Sequence, residues 1–298
     1  MTGYPAAARP LAEIKPEHAY FVGIDSDGCA FDTMEIKHKE CFCPNIIKYW
    51  DLQAVSKYAR EAVEFVNLYS KWRGINRWPA LIMVFDLLRE RPEVLARGVA
   101  VAQAPKVREF IASGQALSND GLKDYMAENA HPELDKALAW SRAVNSSVAD
   151  IVHGVPPFPF VRETLQSLQD RADVVVVSAT PTEALVREWE EHDIAGFACV
   201  IAGQEMGTKK LHLALAAKDK YPPDHILMVG DAPGDREAAK ANGALFCPIN
   251  PGHEEKSWER LYREGLARFT SGTFAGAYEA SLESEFEKLL PEVPPWQR

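Results

Sequence analysis

Two aspartates separated by one residue follow a short apolar run near the start of the chain. Residues 21–24 predict a buried strand, and Asp25 and Asp27 come directly after it. Side chains at i and i+2 of extended backbone point the same way, so both carboxylates should face one site while Ser26 points away from it. Two carboxylates held together repel each other, and a divalent cation is the usual way to keep at least one ionised. The pair therefore suggests a cation-binding site, although Asp and Gly are also common turn residues.

Polar residues follow two further apolar runs in the same way. The valine-rich run 173–177 ends at Ser178, and the run 226–229 leads to Asp231 and then Asp235. Lys209 and Lys210 lie in the polar loop between these two runs. Open α/β sheets keep their chemistry at the carboxyl ends of the strands, so these groups should meet. Each has a simpler structural alternative: a helix cap for the serine, turn and cap roles for the aspartates, and solvated charge for the lysines.

The elements that carry these residues alternate between strands and helices. From residue 155 onwards, strands separated by helical patterns of 10 to 15 residues predict a doubly wound parallel sheet in an α/β, Rossmann-like core. Helices are expected over 161–169 and 282–290, and strands over 173–177, 199–202 and 226–229. The expected core comprises residues 1–33 and 153–298.

Residues 34–152 differ in character and predict an inserted, all-α cap domain. Apolar residues at helical spacing form three stripes in this segment. The segment is also too long for a simple connection within one domain. The stripes comprise Tyr58, Ala62, Phe65, Tyr69 and Trp72; Trp78, Leu81, Ile82 and Phe85; and Leu134, Leu138, Val144, Val148 and Ile151. Residues 253–298 are expected to be a helical packing appendage of the core, with Trp296 as a docking anchor.

Composition limits the class of function. The 298 residues are 47% hydrophobic and carry a formal net charge of −10, which argues against a nucleic-acid-binding surface. The five cysteines are odd in number and scattered, as in a reducing cytoplasmic compartment. Neither a signal peptide nor an apolar stretch long enough for a membrane helix is evident. We expect a cytoplasmic monomer or homodimer whose partner is a small molecule, not nucleic acid or a membrane.

Taken in order, these signals resemble the four motifs of the haloacid dehalogenase superfamily. The resemblance is close over residues 20–33 and 155–250, and the helical insert is similar in position to the cap of that family. It implies that Asp25 is a nucleophile, Asp27 an acid/base, Ser178 a phosphate-binding residue and Lys209 the motif lysine. Lys209 is favoured narrowly over Lys210, because Leu213 begins the apolar face of the next helix four residues on, as in many relatives.

The resemblance also implies a cofactor and a reaction. A Mg²⁺ ion would be bound by Asp25, Asp231, Asp235 and the backbone carbonyl oxygen of Asp27, since it prefers oxygen ligands. The expected activity is hydrolysis of a small phosphorylated metabolite through an aspartyl phosphate.

Three alternatives remain open at this stage. A phosphomutase of the β-phosphoglucomutase type would share every motif and differ in excluding water. A phosphonoacetaldehyde hydrolase would lack the acid at the position of Asp27 and use a cap lysine. A binding protein that retains the scaffold without turnover is also possible.

One segment of the insert could select the substrate. Residues 71–79 form a turn rich in cations and aromatic side chains. Arg73 and Arg77 are expected to bind substrate oxygens, because a planar guanidinium group suits carboxylate and phosphate. The alternative is that both arginines are solvated and that Trp72 and Trp78 belong to the core of the insert.

Overall fold

A computed structural model of the protein describes residues 3–297 and divides the chain into two compact units. The first unit comprises Met1–Thr33 and Gly154–Leu290, and the second comprises Met34–His153 and Pro291–Arg298. We call them the α/β unit and the helical unit. Within the described residues, no helix has both the length and the apolar character needed to span a membrane.

The α/β unit is built on a parallel sheet with five strands among the described residues. Its spatial order is β3-β2-β1-β4-β5, so the chain moves outward from the central β1 on one side and then on the other. The predicted α/β class with a doubly wound sheet is confirmed. The strands are β1 Tyr20–Ile24, β2 Ala172–Val177, β3 Val200–Ala202, β4 Ile226–Gly230 and β5 Leu245–Pro248.

The sheet forms where the sequence is apolar on both faces. Every residue of β2 and β4 is buried, which is typical of strands covered by helices on both sides. Parallel pairing of β1 with β2 and with β4 brings the carboxyl ends of the three strands to one edge. The helices of this unit are α1 Arg9–Glu13, α10 Val161–Leu168, α11 Thr182–Glu191, α12 Lys209–Ala216, α13 Pro233–Ala241, α14 Glu254–Arg260, α15 Leu266–Thr270 and α16 Ala277–Leu289.

Strand β5 was not predicted from the sequence. Its four residues, Leu-Phe-Cys-Pro, are too few for a clear periodic signal, and Pro248 cannot donate a backbone hydrogen bond. Both features are acceptable here because β5 lies at the edge of the sheet, where it pairs with β4 alone among the described strands.

The helical unit has one large apolar core, to which the predicted stripes contribute. Its helices are α3 Cys43–Tyr49, α4 Ser56–Asn67, α5 Arg77–Glu90, α6 Pro92–Leu95, α7 Pro105–Ala112, α8 Asn119–Met126 and α9 Pro132–Ile151, and the short α2 Thr33–Ile36 leads into it. The stripe from Trp78 to Phe85 is buried along α5 as expected. The first stripe is shorter than predicted, because α4 ends at Asn67 and leaves Tyr69 and Trp72 in the loop that follows.

The last residues of the chain group with the helical unit and not with the core to which the sequence analysis assigned them. The segment Pro291–Arg298 leaves the α/β unit after Leu290. The ring of Trp296 lies edge-on to Phe65 with centroids 5.7 Å apart, and the guanidinium group of Arg91 lies 4.5 Å from its centroid. Trp296 therefore anchors the chain end to the helical unit.

Removing this anchor should destabilise the helical unit selectively. The change Trp296→Ala should lower the free energy of unfolding of the helical unit by about 1 to 3 kcal/mol, because the variant loses apolar burial and a cation–π contact. Hydrogen exchange of α4 amides would measure the loss. The exposed Val293 provides a control in Val293→Ala. Equal effects of the two changes would contradict the anchoring role.

Asp173 links three chain segments at the amino-terminal edge of the sheet. Its Oδ2 accepts hydrogen bonds from the N–H groups of Glu17 and His18 and from the hydroxyl of Tyr221, at 3.0, 3.1 and 2.6 Å. Its Oδ1 lies 2.9 Å from His18 Nδ1. Burial acts to raise the pKa of Asp173, but the hydrogen bonds from Tyr221 and His18 outweigh it and lower the pKa. The ionised carboxylate therefore stabilises the fold.

Asp173→Asn should accordingly lower the free energy of unfolding at neutral pH by about 2 to 4 kcal/mol. Because the folded-state pKa is below the unfolded value, this contribution is present above the unfolded pKa, about 3.9, and is lost as pH falls through the folded pKa. Chemical denaturation of wild type and variant should therefore differ at pH 7 and converge in strong acid. The exposed Asp170 supplies the control, Asp170→Asn. A difference that does not depend on pH would contradict this account.

Candidate active site

Three buried aspartates surround one lysine at the carboxyl edge of the sheet. Asp25 follows β1, Asp231 follows β4, Asp235 lies in the first turn of α13 and Lys209 begins α12. Lys209 Nζ lies 2.8 Å from Asp25 Oδ2 and 2.7 Å from Asp235 Oδ1. One carboxylate oxygen from each aspartate lies within 4.8 Å of the other two. Residues separated by up to 210 positions in the sequence thus meet at the carboxyl edge of the sheet.

Local backbone structure explains this arrangement. The N–H of Asp25 donates to the carbonyl oxygen of Val229 at 3.0 Å, which extends the pairing of β1 with β4 by one residue. Asp235 Oδ2 accepts from the N–H of Ala232 at 3.0 Å, so this side chain also caps α13. A Cβ atom at Gly230 would lie 2.4 Å from the Asp235 Cβ. Glycine at this position therefore lets the aspartate pack across the end of β4.

The cluster carries more negative than positive charge. Burial is the main cause that raises the pKa of Asp25 to about 7; Lys209 opposes the shift and Asp231 adds to it. Burial likewise raises the pKa of Asp235 to about 6, against the effect of Lys209. Burial alone would lower the pKa of Lys209, but Asp235 and Asp25 outweigh it and raise the pKa above its usual range. Lys209 is therefore charged, and two negative charges remain when all three carboxylates are ionised.

The side chain of Asp27 is held by two threonine hydroxyl groups. Thr33 Oγ1 donates to its Oδ1 at 2.5 Å, and Thr180 Oγ1 donates to its Oδ2 at 2.6 Å. The intervening Ser26 points elsewhere and donates from Oγ to Glu188 Oε2 at 2.9 Å. The sequence analysis did not identify either threonine as a partner. Thr180 could have been found, because it lies two residues beyond Ser178 in the loop after β2.

Ser178 lies directly after β2 and is buried. Its N–H donates to the carbonyl oxygen of Ala202, and its Oγ accepts from the N–H of Thr180 at 3.2 Å. The N-cap position of α11 is occupied by Pro181, so Ser178 does not cap that helix. The serine instead shapes the loop that delivers Thr180 to Asp27.

The two candidate lysines have different environments. Lys209 lies inside the carboxylate cluster, whereas the neighbouring Lys210 is exposed. Lys209 is therefore the one of the two that contacts the carboxylates, and its role as the motif lysine stays a prediction.

Arg73 and Arg77 both make contacts inside the helical unit. Arg73 is buried and donates to the carbonyl oxygen of Leu68 at 2.9 Å. Arg77 donates to Ser141 Oγ at 2.8 Å and to Asn145 Oδ1 at 2.7 Å, and burial lowers its pKa to about 10. These contacts give both arginines a structural task in this unit. Substrate binding by either residue stays a prediction.

The cluster suits a hard divalent cation. Its donors are carboxylate oxygens, which Mg²⁺ prefers, and its excess negative charge is buried where a cation would offset it. Asp25, Asp231 and Asp235 would hold the ion. The Asp27 side chain does not belong to this group of oxygens, which is compatible with the predicted use of its backbone carbonyl.

Parts of the chain are similar to known proteins. A sequence model described as "Haloacid dehalogenase-like hydrolase" matches residues 109–249. A phosphoglycolate phosphatase of Escherichia coli (strain K12) is 37% identical over 97 residues, which are 30% of this chain and 37% of that protein. The corresponding protein of Salmonella paratyphi A is 36% identical over the same length. The chain thus spans little more than a third of the length of the curated relatives it matches.

The solved structures to which the chain is similar include two hydrolases described as haloacid dehalogenase-like. One, from Streptococcus pneumoniae, is 16% identical, has a TM-score of 0.47 and is matched over 84% of this chain and 98% of its own. The other, from Xanthomonas campestris, is 12% identical, has a TM-score of 0.44 and is matched over 87% of this chain and 97% of its own.

The matched sequence model covers slightly less than half of the chain and does not include Asp25 or Asp27. Asp25, Ser178 and Asp231 follow strands, and Lys209 begins the helix after one. Over residues 109–249, this chain is similar to haloacid dehalogenase-like hydrolases.

Proposed function

We propose that this protein is a Mg²⁺-dependent phosphatase that hydrolyses a small phosphorylated metabolite through an aspartyl phosphate. The observation that supports this most strongly is the position of Lys209 between Asp25 and Asp235, with Asp231 beside them. Phosphoryl transfer requires positive charge and in-line positioning more than covalent chemistry from the protein. This buried cluster offers a carboxylate nucleophile next to a fixed ammonium group.

Asp25 is the proposed nucleophile. One of its carboxylate oxygens would attack phosphorus, and the bond from phosphorus to the ester oxygen would break as the aspartyl phosphate forms. Lys209, 2.8 Å from Asp25 Oδ2, would offset the charge on the carboxylate and on the phosphoryl oxygens. A bound Mg²⁺ ion would supply further positive charge to those oxygens.

Asp27 is the proposed general acid and base. It would protonate the departing alkoxide and then take a proton from the water that hydrolyses the aspartyl phosphate. The hydroxyl groups of Thr33 and Thr180 hold its two oxygens in place. Ser178 and nearby N–H groups would bind phosphoryl oxygens.

The named relatives support a phosphate ester as the substrate class. The curated proteins that match part of the chain are phosphoglycolate phosphatases. The presence of Asp27 favours a phosphate ester over a phosphonate, because the alkoxide leaving group of an ester needs a proton. A phosphomutase remains the second candidate, because it would use the same residues and differ only in excluding water from the aspartyl phosphate.

Metal-dependent turnover provides the direct test. The purified protein should release inorganic phosphate from an aryl phosphate when Mg²⁺ is present, and a strong chelator should lower the rate by at least about 100-fold, because the buried carboxylates then lack their counter-charge. Phosphate release would be measured in parallel with Mg²⁺ and with Ca²⁺, which prefers more ligands at longer distances. Undiminished turnover with the chelator would refute the metal dependence.

A further inference from the structure

Two buried tryptophans hold the loop that carries Asp25 and Asp27. Trp189 Nε1 donates to Ser26 Oγ at 3.0 Å, and Trp258 Nε1 donates to the carbonyl oxygen of Cys29 at 2.7 Å. Both tryptophans are fully buried. These two hydrogen bonds therefore restrain the loop at residues 26 and 29, on either side of Asp27.

Ser26 transmits this restraint to the rest of the loop. Its carbonyl oxygen accepts from the N–H groups of residues 29, 30 and 31, at 3.2, 2.9 and 3.1 Å. Its own N–H donates to Asp25 Oδ1 at 2.8 Å. A shift of Ser26 would consequently move the carboxylate of Asp25, the proposed nucleophile.

The indole N–H groups have a specific use here. Elsewhere among the described residues, the buried Trp78 and Trp140 have Nε1 atoms without a hydrogen-bond partner and serve only to fill the core of the helical unit. At Trp258 the N–H satisfies a buried loop carbonyl, which would otherwise lose a hydrogen bond away from water. A phenylalanine would fill most of the same space without making that bond.

We propose that Trp189 and Trp258 are positioning residues for the phosphoryl transfer proposed above, on which this inference rests. Each donates its indole hydrogen bond to a residue of the loop, through which it acts on Asp25 or Asp27. Trp258 lies on α14, so the proposal also assigns a role to the first helix after residue 252. Small displacements of a nucleophile are costly, since a misplacement of about 1 Å can lower the rate about 100-fold.

The experiment compares Trp189→Phe and Trp258→Phe with the control Trp140→Phe. The control makes the same replacement in a buried tryptophan whose indole N–H has no hydrogen-bond partner. Hydrogen exchange of the amides of residues 29–31, measured without metal or substrate, should be faster by at least about fivefold in the first two variants because the loop opens more readily. With an aryl phosphate and Mg²⁺, kcat should fall about 10- to 50-fold while KM stays within about twofold. Trp140→Phe should leave both properties near those of the wild type.

Ser26→Ala tests the same link without changing the core. It removes both the acceptor for Trp189 and the donor to Glu188, so it should lower kcat at least as much as Trp189→Phe. The double variant of Ser26→Ala and Trp189→Phe should be no worse than Ser26→Ala alone. If the wild type is active but Trp189→Phe and Trp258→Phe have the same loop exchange and kcat as Trp140→Phe, the positioning role is refuted. The proposed function would then still stand. A wild-type protein that releases no phosphate would instead refute the proposed function, while the exchange measurement would still show whether the tryptophans hold the loop.

Discussion

Asp25→Asn should abolish phosphate release, with a fall in kcat/KM of at least about 1,000-fold, because an amide is a poor nucleophile. The fold should survive the change. Asparagine has the same shape, and its oxygen can still accept the N–H of Ser26 that Asp25 Oδ1 accepts at 2.8 Å. Burial and Asp231 both raise the pKa of Asp25, which means that its ionised form is disfavoured there. The free energy of unfolding without metal should therefore be unchanged or higher.

Loss of activity without loss of stability would distinguish a catalytic group from a structural one. The control is Asp224→Asn, which removes an exposed carboxylate from the same unit and should keep full activity. Activity assays and chemical denaturation would be run on both variants. Full turnover by Asp25→Asn would place the nucleophile elsewhere, and a large loss of stability would show that the carboxylate mainly supports the fold.

The sheet and its site could be predicted because strong local signals agree with one another. The four consecutive valines of β2 and the residues of β4 are buried, so each strand contains a continuous apolar run that is followed by polar residues. Parallel strands then bring Asp25 and Asp231 to one edge whatever the details of the connecting helices. Topology alone accounts for that part of the site.

Partners that depend on side-chain direction could not be predicted. Nothing in the spacing of Thr33 shows that its hydroxyl group reaches Asp27. The N–H of Trp258 reaches Cys29 across 229 residues of sequence. Such contacts arise from the packing of whole elements, which periodicity does not describe.

The chain end was misassigned for a related reason. Residues up to Leu290 continue the α/β unit, and a single-sequence pattern gives no sign that the next eight residues change partner. Trp296 was expected to be an anchor because a large aromatic residue near a chain end gains from burial. Its partners, Phe65 and Arg91, lie in a segment more than 200 residues earlier in the chain.

Lys209→Met should weaken the fold and the reaction together, but only the fold should recover when Mg²⁺ is added. Methionine has a similar length and no charge, so Asp25 and Asp235 lose an ammonium group that lies within 2.8 Å of each. Removing one partner of a buried ion pair costs about 3 to 5 kcal/mol, because the remaining charge stays buried without compensation. The metal-free variant should therefore unfold at markedly lower denaturant concentration than the wild type.

A divalent cation can replace the missing charge on the carboxylates but not the ammonium group beside the phosphoryl oxygens. Saturating Mg²⁺ should thus restore more stability to Lys209→Met than it adds to the wild type, while kcat stays about 100- to 1,000-fold low. Lys210→Met is the matched control, since Lys210 is exposed one residue away, and it should behave like the wild type in denaturation with and without Mg²⁺ and in turnover. Recovery of turnover along with stability would show that Lys209 acts only as a counter-charge within the cluster. Equal losses in the two variants would contradict the assignment of Lys209.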